Sequence, residues 1–442
     1  MSQTSQANAA TPERPGSGQV LSSSQVFVGR QPIFDRDLSV FAYELLFRDG
    51  DGNRARVVDG EQATLQTLVN TLMEFGLDEV VGNHLAFLNL NRSLLLRHAD
   101  LPAMQQRFVL EVLEDIEPDA EVIAALQALA QKGFRIALDD FVYRDTLKPL
   151  VELADIIKID IQKLEPEQVR LHVAKMRPYD VKFLAEKVET HEQFEFCKSL
   201  GFQYFQGYFL SRPKVLSGKR LPANRLAVLQ LLEQIQNPDV SVAELEQLIS
   251  RDVSLSYRIL RYINSAQFAG SRKIESINRA VVMIGLRQLR ALTSLFVLSQ
   301  LDDKPVELMR IALVRARMCE LLSQHLGTGT SETHFTIGLF STLDALLDRP
   351  IEEIVAALPL NADVVAALTR REGIGGAILG CVLACERGEW TVVSDPRFDF
   401  AVVSQAYHDA LKWTDATTRL LGAKVGADSK SPRPAPARRS RH

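Results

Sequence analysis

Six polar side chains close six short apolar runs in the first half of this chain: Glu44, Asn89, Glu111, Asp139, Lys158 and Glu186. Asp140 follows Asp139 directly and makes an acid doublet. Carboxylates brought together repel one another unless a cation lies between them. Hard oxygen ligands of this kind suit Mg²⁺ or Mn²⁺. A doublet can feed two metals, and a lysine nearby can hold an attacking water. That is the chemistry of phosphodiester hydrolysis. One acid at a strand end is ordinarily just solvated; the succession of five carboxylates and one amide carries the reading.

The elements that must position these groups are strands alternating with helices. In Phe108–Phe141 a β-rich run carrying Glu111 is followed by a turn with Pro118 and by apolar residues at helical spacing (Val122, Ile123, Leu126, Leu129, Ala130). Gly133 stands where a helix needs a left-handed residue to stop. A second apolar run, Phe134–Leu138, leads into Asp139-Asp140. The unit recurs: Leu153–Asp160 and Val181–Glu189 read as strands, Glu192–Leu200 as a helix stopped by Gly201, and Phe202–Leu210 as a further strand. Upstream, Val40–Phe47 and Ala86–Leu90 are two more. Most gaps match one βα unit, roughly 20–30 residues. Strands joined by crossover helices lie parallel. Their polar ends predict a barrel with a convergent site at its C-terminal face.

The motifs carry a resemblance. Gln31-Pro32-Ile33, Tyr43-Glu44-Leu45-Leu46-Phe47-Arg48, Asn89, Glu111-Val112-Leu113-Glu114, Asp139-Asp140-Phe141, Lys158-Ile159-Asp160, Ala185-Glu186-Lys187-Val188-Glu189-Thr190, and Gln206-Gly207-Tyr208 with Ser211-Arg212-Pro213 resemble the EAL domain over about Val26–Pro213. That family hydrolyses cyclic di-GMP on a modified TIM-like barrel. Carried over by position, the resemblance implies metal ligation by Glu44, Asn89, Glu111, Asp139 and Asp140. It gives Lys158 the water, and Glu186 and Gln206 the completion of the metal and water network. Arg48 and Gln31 meet the substrate, the Arg48 fork suiting phosphate oxygens. Glu114 steadies the loop after the acid doublet.

Three departures bear on activity. The signature Glu-Ala-Leu reads Glu44-Leu45-Leu46, which keeps the acid. The Gly of the AEGVET-like motif is Lys187. The Gly-rich loop after the doublet is replaced by Val142-Tyr143-Arg144-Asp145-Thr146, which cannot adopt positive-φ turns cheaply. The segment between Glu44 and Asn89 also lacks length that the family has. These departures predict weak or absent hydrolysis with cyclic di-GMP as the ligand; the alternative is an active phosphodiesterase producing pGpG. EAL-type domains pair through the altered loop, so the change weighs against a homodimer.

After a basic linker at 214–220 the sequence becomes almost wholly helical. Leu226–Ile235, Val242–Ser250 (capped by Ser241 with Glu244 as its capping-box partner), Ser254–Ser265, Ser276–Ile284 and Leu286–Leu298 read as helices, the last two separated by Gly285. Leu248–Leu255, Ile259–Ala266 and Ser276–Leu286 resemble the HDOD domain, a helical relative of metal-dependent HD phosphohydrolases, placed here at 221–395. The resemblance implies a docking module for other signalling proteins. Ser341-Thr342 stand where a metal site would need His-Asp, and hydroxyls do not replace those ligands. His325 and His334 read as surface or helix-end residues. Ala401–Leu421 is one more amphipathic helix with Trp413 on its apolar side, within a C-terminal helix at 396–422.

The remaining features bound the answer. The chain has 442 residues, a net charge of −4 and 46% hydrophobic residues, enough for two or three globular domains and without a charge bias toward nucleic acid. No apolar run approaches the ~18–20 residues that span a bilayer, and no signal peptide is evident. Residues 1–24 and 423–442 read as disordered, the latter with a small basic cluster at Arg438, Arg439 and Arg441. Cys197, Cys319, Cys381 and Cys385 form no CxxC motif and read as reduced, buried thiols of a cytoplasmic protein. The expectation is an α/β TIM-like barrel followed by an all-α HDOD domain, acting in bacterial intracellular signal transduction.

Overall fold

The structure, a computed structural model, describes residues 26–49, 77–97, 105–211, 223–265, 274, 276–301, 304–328, 330–389 and 397–421. The expected disordered ends, the linker at 214–220 and most of the segment between Glu44 and Asn89 lie outside the described residues, as does the side chain of Arg48.

Eight strands close a barrel in chain order: β1 (Val26–Phe34), β2 (Val40–Asp49), β3 (Leu85–Leu90), β4 (Phe108–Val112), β5 (Arg135–Leu138), β6 (Ile156–Asp160), β7 (Lys182–Glu186) and β8 (Tyr204–Gln206). The pairs from β2 to β8 are parallel. β1 runs antiparallel to both its neighbours and forms a hairpin with β2. The barrel is therefore modified as the resemblance implies, by a strand that the polar-end pattern did not reveal.

Between the strands lie α1 (Leu77–Val81), α2 (Arg92–Leu96), α3 (Ala120–Gln131), α4 (Lys148–Leu153), α5 (Pro166–Met176) and α6 (His191–Leu200). α3 starts on the Asp119 side chain, which accepts from the Val122 amide. α6 starts on a Thr190–Gln193 capping box and stops at Gly201 in the left-handed region. Three expected strands are shorter than their runs; Val181–Glu189 gives only Lys182–Glu186, ended by Lys187 at φ 54°. Leu153 ends α4, which Pro149 helps to start, so β6 begins only at Ile156. β8 stops at Gln206 because Gly207 turns the chain at φ 147°; a Cβ there would meet the Val188 carbonyl oxygen at 2.1 Å.

Side-chain parity sorts the barrel into two layers. Ile33, Ala42, Leu85, Phe87, Val109, Ala137, Ile156, Leu184 and Tyr204 fill the inside. Tyr43, Leu45, Leu88, Leu110, Ile136, Ile157 and Ala185 pack outward under the helices.

The second half is helical: α7 (Ala223–Gln236), α8 (Val242–Ser250), α9 (Val253–Ile263), α10 (Ile277–Ile284), α11 (Leu286–Leu298), α12 (Val306–His325), α13 (Ser331–Phe340), α14 (Leu343–Leu347), α15 (Ile351–Ala356), α16 (Ala362–Arg370), α17 (Gly373–Arg387) and α18 (Phe400–Leu421). The expected Ser241–Glu244 box, the Ser276 cap and the break at Gly285 are all present. These helices share one continuous hydrophobic core. Among the described residues no helix is long and apolar enough to cross a membrane.

Candidate metal and phosphodiester site

Each strand places one polar residue two positions beyond an inner-core residue, on the same inward parity: Gln31 before Ile33 on β1, Glu44 after Ala42, Asn89 after Phe87, Glu111 after Val109, Asp139 after Ala137, Lys158 after Ile156, Glu186 after Leu184 and Gln206 after Tyr204. The period of two makes these eight residues the upper layer of the barrel interior. Every sequence-predicted ligand except Asp140 belongs to that layer.

At its centre stands the Lys158 ammonium, 1% exposed. It lies 2.7 Å from Asp139 Oδ1, 2.8 Å from Glu111 Oε1, 2.9 Å from Glu186 Oε1 and 3.3 Å from Glu44 Oε2. Gln206 Nε2 donates to Glu44 Oε2 at 2.8 Å and to Gln31 Oε1 at 2.9 Å. Asn89 Nδ2 donates to Glu44 Oε1 at 3.4 Å.

One ammonium cannot balance four buried acids, and the acids divide accordingly. Burial pushes the Glu44 carboxyl up, but the Lys158 charge and hydrogen bonds from Gln206, Lys158 and Asn89 outweigh it and hold Glu44 below the usual range. Burial, followed by the Glu44 charge, drives Glu111 well above it. Burial raises Asp139, and it lifts Glu186 to about 8. Burial disfavours the charged lysine, yet the four carboxylates together raise Lys158 well above its ordinary value.

Among the described residues no three His, Cys, Asp or Glu side chains are placed to share one metal. The donor set still fits a hard divalent cation. Among the described residues, Asn89 Oδ1, Glu186 Oε2, Gln206 Oε1 and Glu111 Oε2 are buried acceptors without a donor, and Glu111 Oε1 meets only the shared Lys158 ammonium. Buried acceptors left this way are costly unless a cation or water serves them.

Asp140 sits apart from the ammonium. Its backbone is left-handed at φ 42°, and its carboxylate pairs with Lys163 Nζ at 2.6 Å. Lys187 takes the position of the family's glycine with the glycine-like φ of 54°. Its side chain swings out to the buried Asp160 carboxylate. Bulk is thus directed away from the acids, at the cost of a strained backbone.

The loop after the doublet is held by a residue the motifs did not name. His172 on α5 accepts from the Tyr143 amide at 2.9 Å through Nε2, which also lies 3.2 Å from the Phe141 carbonyl oxygen. Nothing in the spacing of α5 marks His172, since the contact spans 29 residues. Glu114, expected to steady this loop, is exposed on the turn after β4, and its charge acts on Lys163, the partner of Asp140.

In the helical half the place expected for His-Asp holds no ligands. Ser341 Oγ donates to the Gly338 carbonyl and buried Thr342 Oγ1 to the Leu339 carbonyl. Arg315 points at Ser341 and is clamped by both Glu386 oxygens, at 2.7 and 2.8 Å. His334 lies at the start of α13, buried against Ser323 and Thr330, and His325 ends α12 exposed.

A closed eight-stranded barrel with an antiparallel first strand, an inward ring of acids and amides, and a helical second half define an EAL–HDOD signalling architecture. The EAL domain family model matches residues 19–213 and the HDOD domain family model residues 221–347. The chain is 34% identical over 408 residues to cyclic di-GMP phosphodiesterase CdgJ of Vibrio cholerae, covering 89% of this chain and 94% of that protein. It is also 34% identical over 400 residues to the uncharacterized protein YuxH of Bacillus subtilis, covering 88% and 98%. The protein belongs to the EAL–HDOD family of cyclic di-GMP phosphodiesterase relatives. Among solved structures, Bacillus subtilis YkuI, an EAL-domain protein in complex with cyclic di-GMP and calcium, aligns with 51% of this chain and 72% of its own at 20% identity, with a TM-score of 0.34.

Proposed function

We propose that this protein is a bacterial intracellular signalling regulator whose barrel binds cyclic di-GMP together with Mg²⁺ or Mn²⁺ and turns it over slowly or not at all. The observation that carries the reading is the self-neutralised acid ring. Glu44, Asn89, Glu111 and Asp139, with Asp140 beside them, are the residues to hold the cation, and Glu186 and Gln206 complete the shell. Lys158 occupies their centre instead of waiting at the edge to hold a water. Gln31, on the inward layer, and Arg48, by the family resemblance, are the residues to meet the nucleotide phosphates. A divalent cation, when bound, supplies Lewis-acid polarisation of phosphoryl oxygens and acidifies its water. The chain's own residues must first release the Lys158 ammonium and the protons that burial keeps on Glu111 and Glu186. The non-glycine loop pinned by His172 further limits rearrangement around Asp140. The HDOD half, with Arg315 and Ser341 where a metal would need His-Asp, is a docking module for other signalling proteins. Buried free cysteines and the absence of a membrane-length helix among the described residues agree with a cytoplasmic setting.

The second reading is an active phosphodiesterase producing pGpG. It is favoured by the complete inward set of acids and amides and by the 34% identity to a Vibrio cholerae protein that bears the phosphodiesterase name. Incubation with cyclic di-GMP and Mn²⁺, followed by chromatography, separates the two. Multiple-turnover production of pGpG that vanishes in Glu44→Ala establishes the enzyme. Retention of intact nucleotide by the protein supports the regulator.

A further inference from the structure

The two halves meet where the barrel lacks a crossover helix. A parallel strand pair is covered by the helix that joins it. β1 and β2 are joined by a turn at 35–39, so no connection of their own covers their outer face. The helical half covers it instead, with α17 packed on β1 and α18 on α1.

The contacts fall on residues adjacent to the site. Gln31 pairs with Glu44 across the hairpin, and Pro32 with Tyr43. Gln31 and Glu44 point inward to Gln206. Their neighbours Arg30 and Tyr43 point outward. The Tyr43 hydroxyl donates to Glu307 Oε1 on α12 at 3.1 Å. Glu307, 7% exposed, turns its other oxygen to Arg310 Nε at 3.3 Å, and Arg310 pairs with Asp415 on α18. The Arg30 amide donates to the Tyr407 hydroxyl at 3.3 Å. The Arg30 guanidinium lies 4.3 Å above the Tyr43 ring and donates to the Val80 carbonyl. Each strand of the hairpin thus carries one site residue inside and, next to it, one residue gripped by the helical half. Successive Cα atoms are about 3.8 Å apart and rigidly linked, so Tyr43 cannot shift without moving Glu44. Glu44 in turn accepts from Lys158, Gln206 and Asn89.

The geometry points to Tyr43 and Glu307 as positioning residues, through which the helical half sets Glu44 and Gln31 and a partner that displaces α12 detunes the barrel's site. This deepens the regulator reading and rests on it only for the identity of the nucleotide.

The test is amide exchange by mass spectrometry on the full, ligand-free chain. It compares wild type with Tyr43→Phe, Glu307→Gln and the control Lys412→Ala, which breaks an exposed inter-half ion pair to Glu79 on α1 and leaves the Tyr43–Glu307 bond intact. Tyr43→Phe removes a single oxygen and carries the test if Glu307→Gln does not fold. Loss of the Tyr43–Glu307 bond is expected to speed exchange about fivefold over 26–34, 40–46 and 204–206, with the control at wild-type rates. Faster exchange confined to α12, or equal acceleration in Lys412→Ala, overturns the inference. Calcium-dependent affinity for cyclic di-GMP falls by a similar factor in Tyr43→Phe. The expected exchange difference in the variants, together with a wild type that binds no nucleotide, refutes the proposed function and leaves the positioning role standing.

Discussion

Replacing Lys158 by methionine is the most informative perturbation of the acid ring. The ammonium meets four carboxylates within 3.3 Å and is itself buried. Methionine matches its length without its charge. Removing one partner of a buried ion pair typically costs about 3–5 kcal/mol. Here the loss depends on pH, because Lys158 favours the ionised acids. At pH 5 the acids of the variant answer by staying protonated, and the loss is small. At pH 8 each acid must either ionise without a counter-charge or take up a proton that the unfolded chain has released, and the loss approaches about 3 kcal/mol. For a domain of this size that is roughly 6–12 °C in Tm. A divalent cation takes the vacated centre, so Mn²⁺ raises the Tm of Lys158→Met more than that of wild type. Thermal unfolding at pH 5 and 8, in chelator and in Mn²⁺, reads all four conditions. Equal losses at both pH values, or no extra rescue by Mn²⁺, refute the reasoning that the ammonium stands in for a metal.

Further expectations follow from the same geometry. Glu186 has its folded pKa raised from 4.5 to about 8 by burial, so its contribution to stability is complete below about pH 4.5 and is lost as pH rises through about 8. In chelator the wild-type Tm falls between pH 6 and 9, and Mn²⁺ reverses the slope. Gly207→Ala drives a Cβ into the Val188 backbone and costs about 3 kcal/mol in denaturant unfolding. His172→Ala leaves the Tyr143 amide without its acceptor, and limited proteolysis should then cut first within residues 141–147. The double change Ser341→His with Thr342→Asp gains no bound metal by elemental analysis, because the Arg315 guanidinium faces that position.

The site was legible in the sequence because a strand's period of two puts every polar end residue on the parity of the inner core. Glu44, Glu111, Asp139, Lys158 and Glu186 needed only that rule and a count of strands. β1 was not legible as a strand: Gly29, Arg30 and Pro32 interrupt its apolar pattern, and its antiparallel pairing with β2 leaves no βα spacing. The run Phe202–Leu210 looked like one strand because its residues are mostly aromatic, whereas Gly207 turns it after three strand residues. His172 and the Tyr43–Glu307 bond escaped because they are tertiary contacts, the latter spanning 264 residues. The helices of the second half were legible through their caps, Ser241, Ser276 and Gly285, where local chemistry alone decides the boundary.

The central claim is that the acid ring is a metal-dependent cyclic di-GMP site. Calorimetric titration of cyclic di-GMP into the full chain with Ca²⁺ present tests it most directly, wild type against Glu111→Ala. The account predicts saturable binding by wild type that disappears in chelator and in Glu111→Ala. No binding by wild type, or the same affinity in the variant, would contradict it.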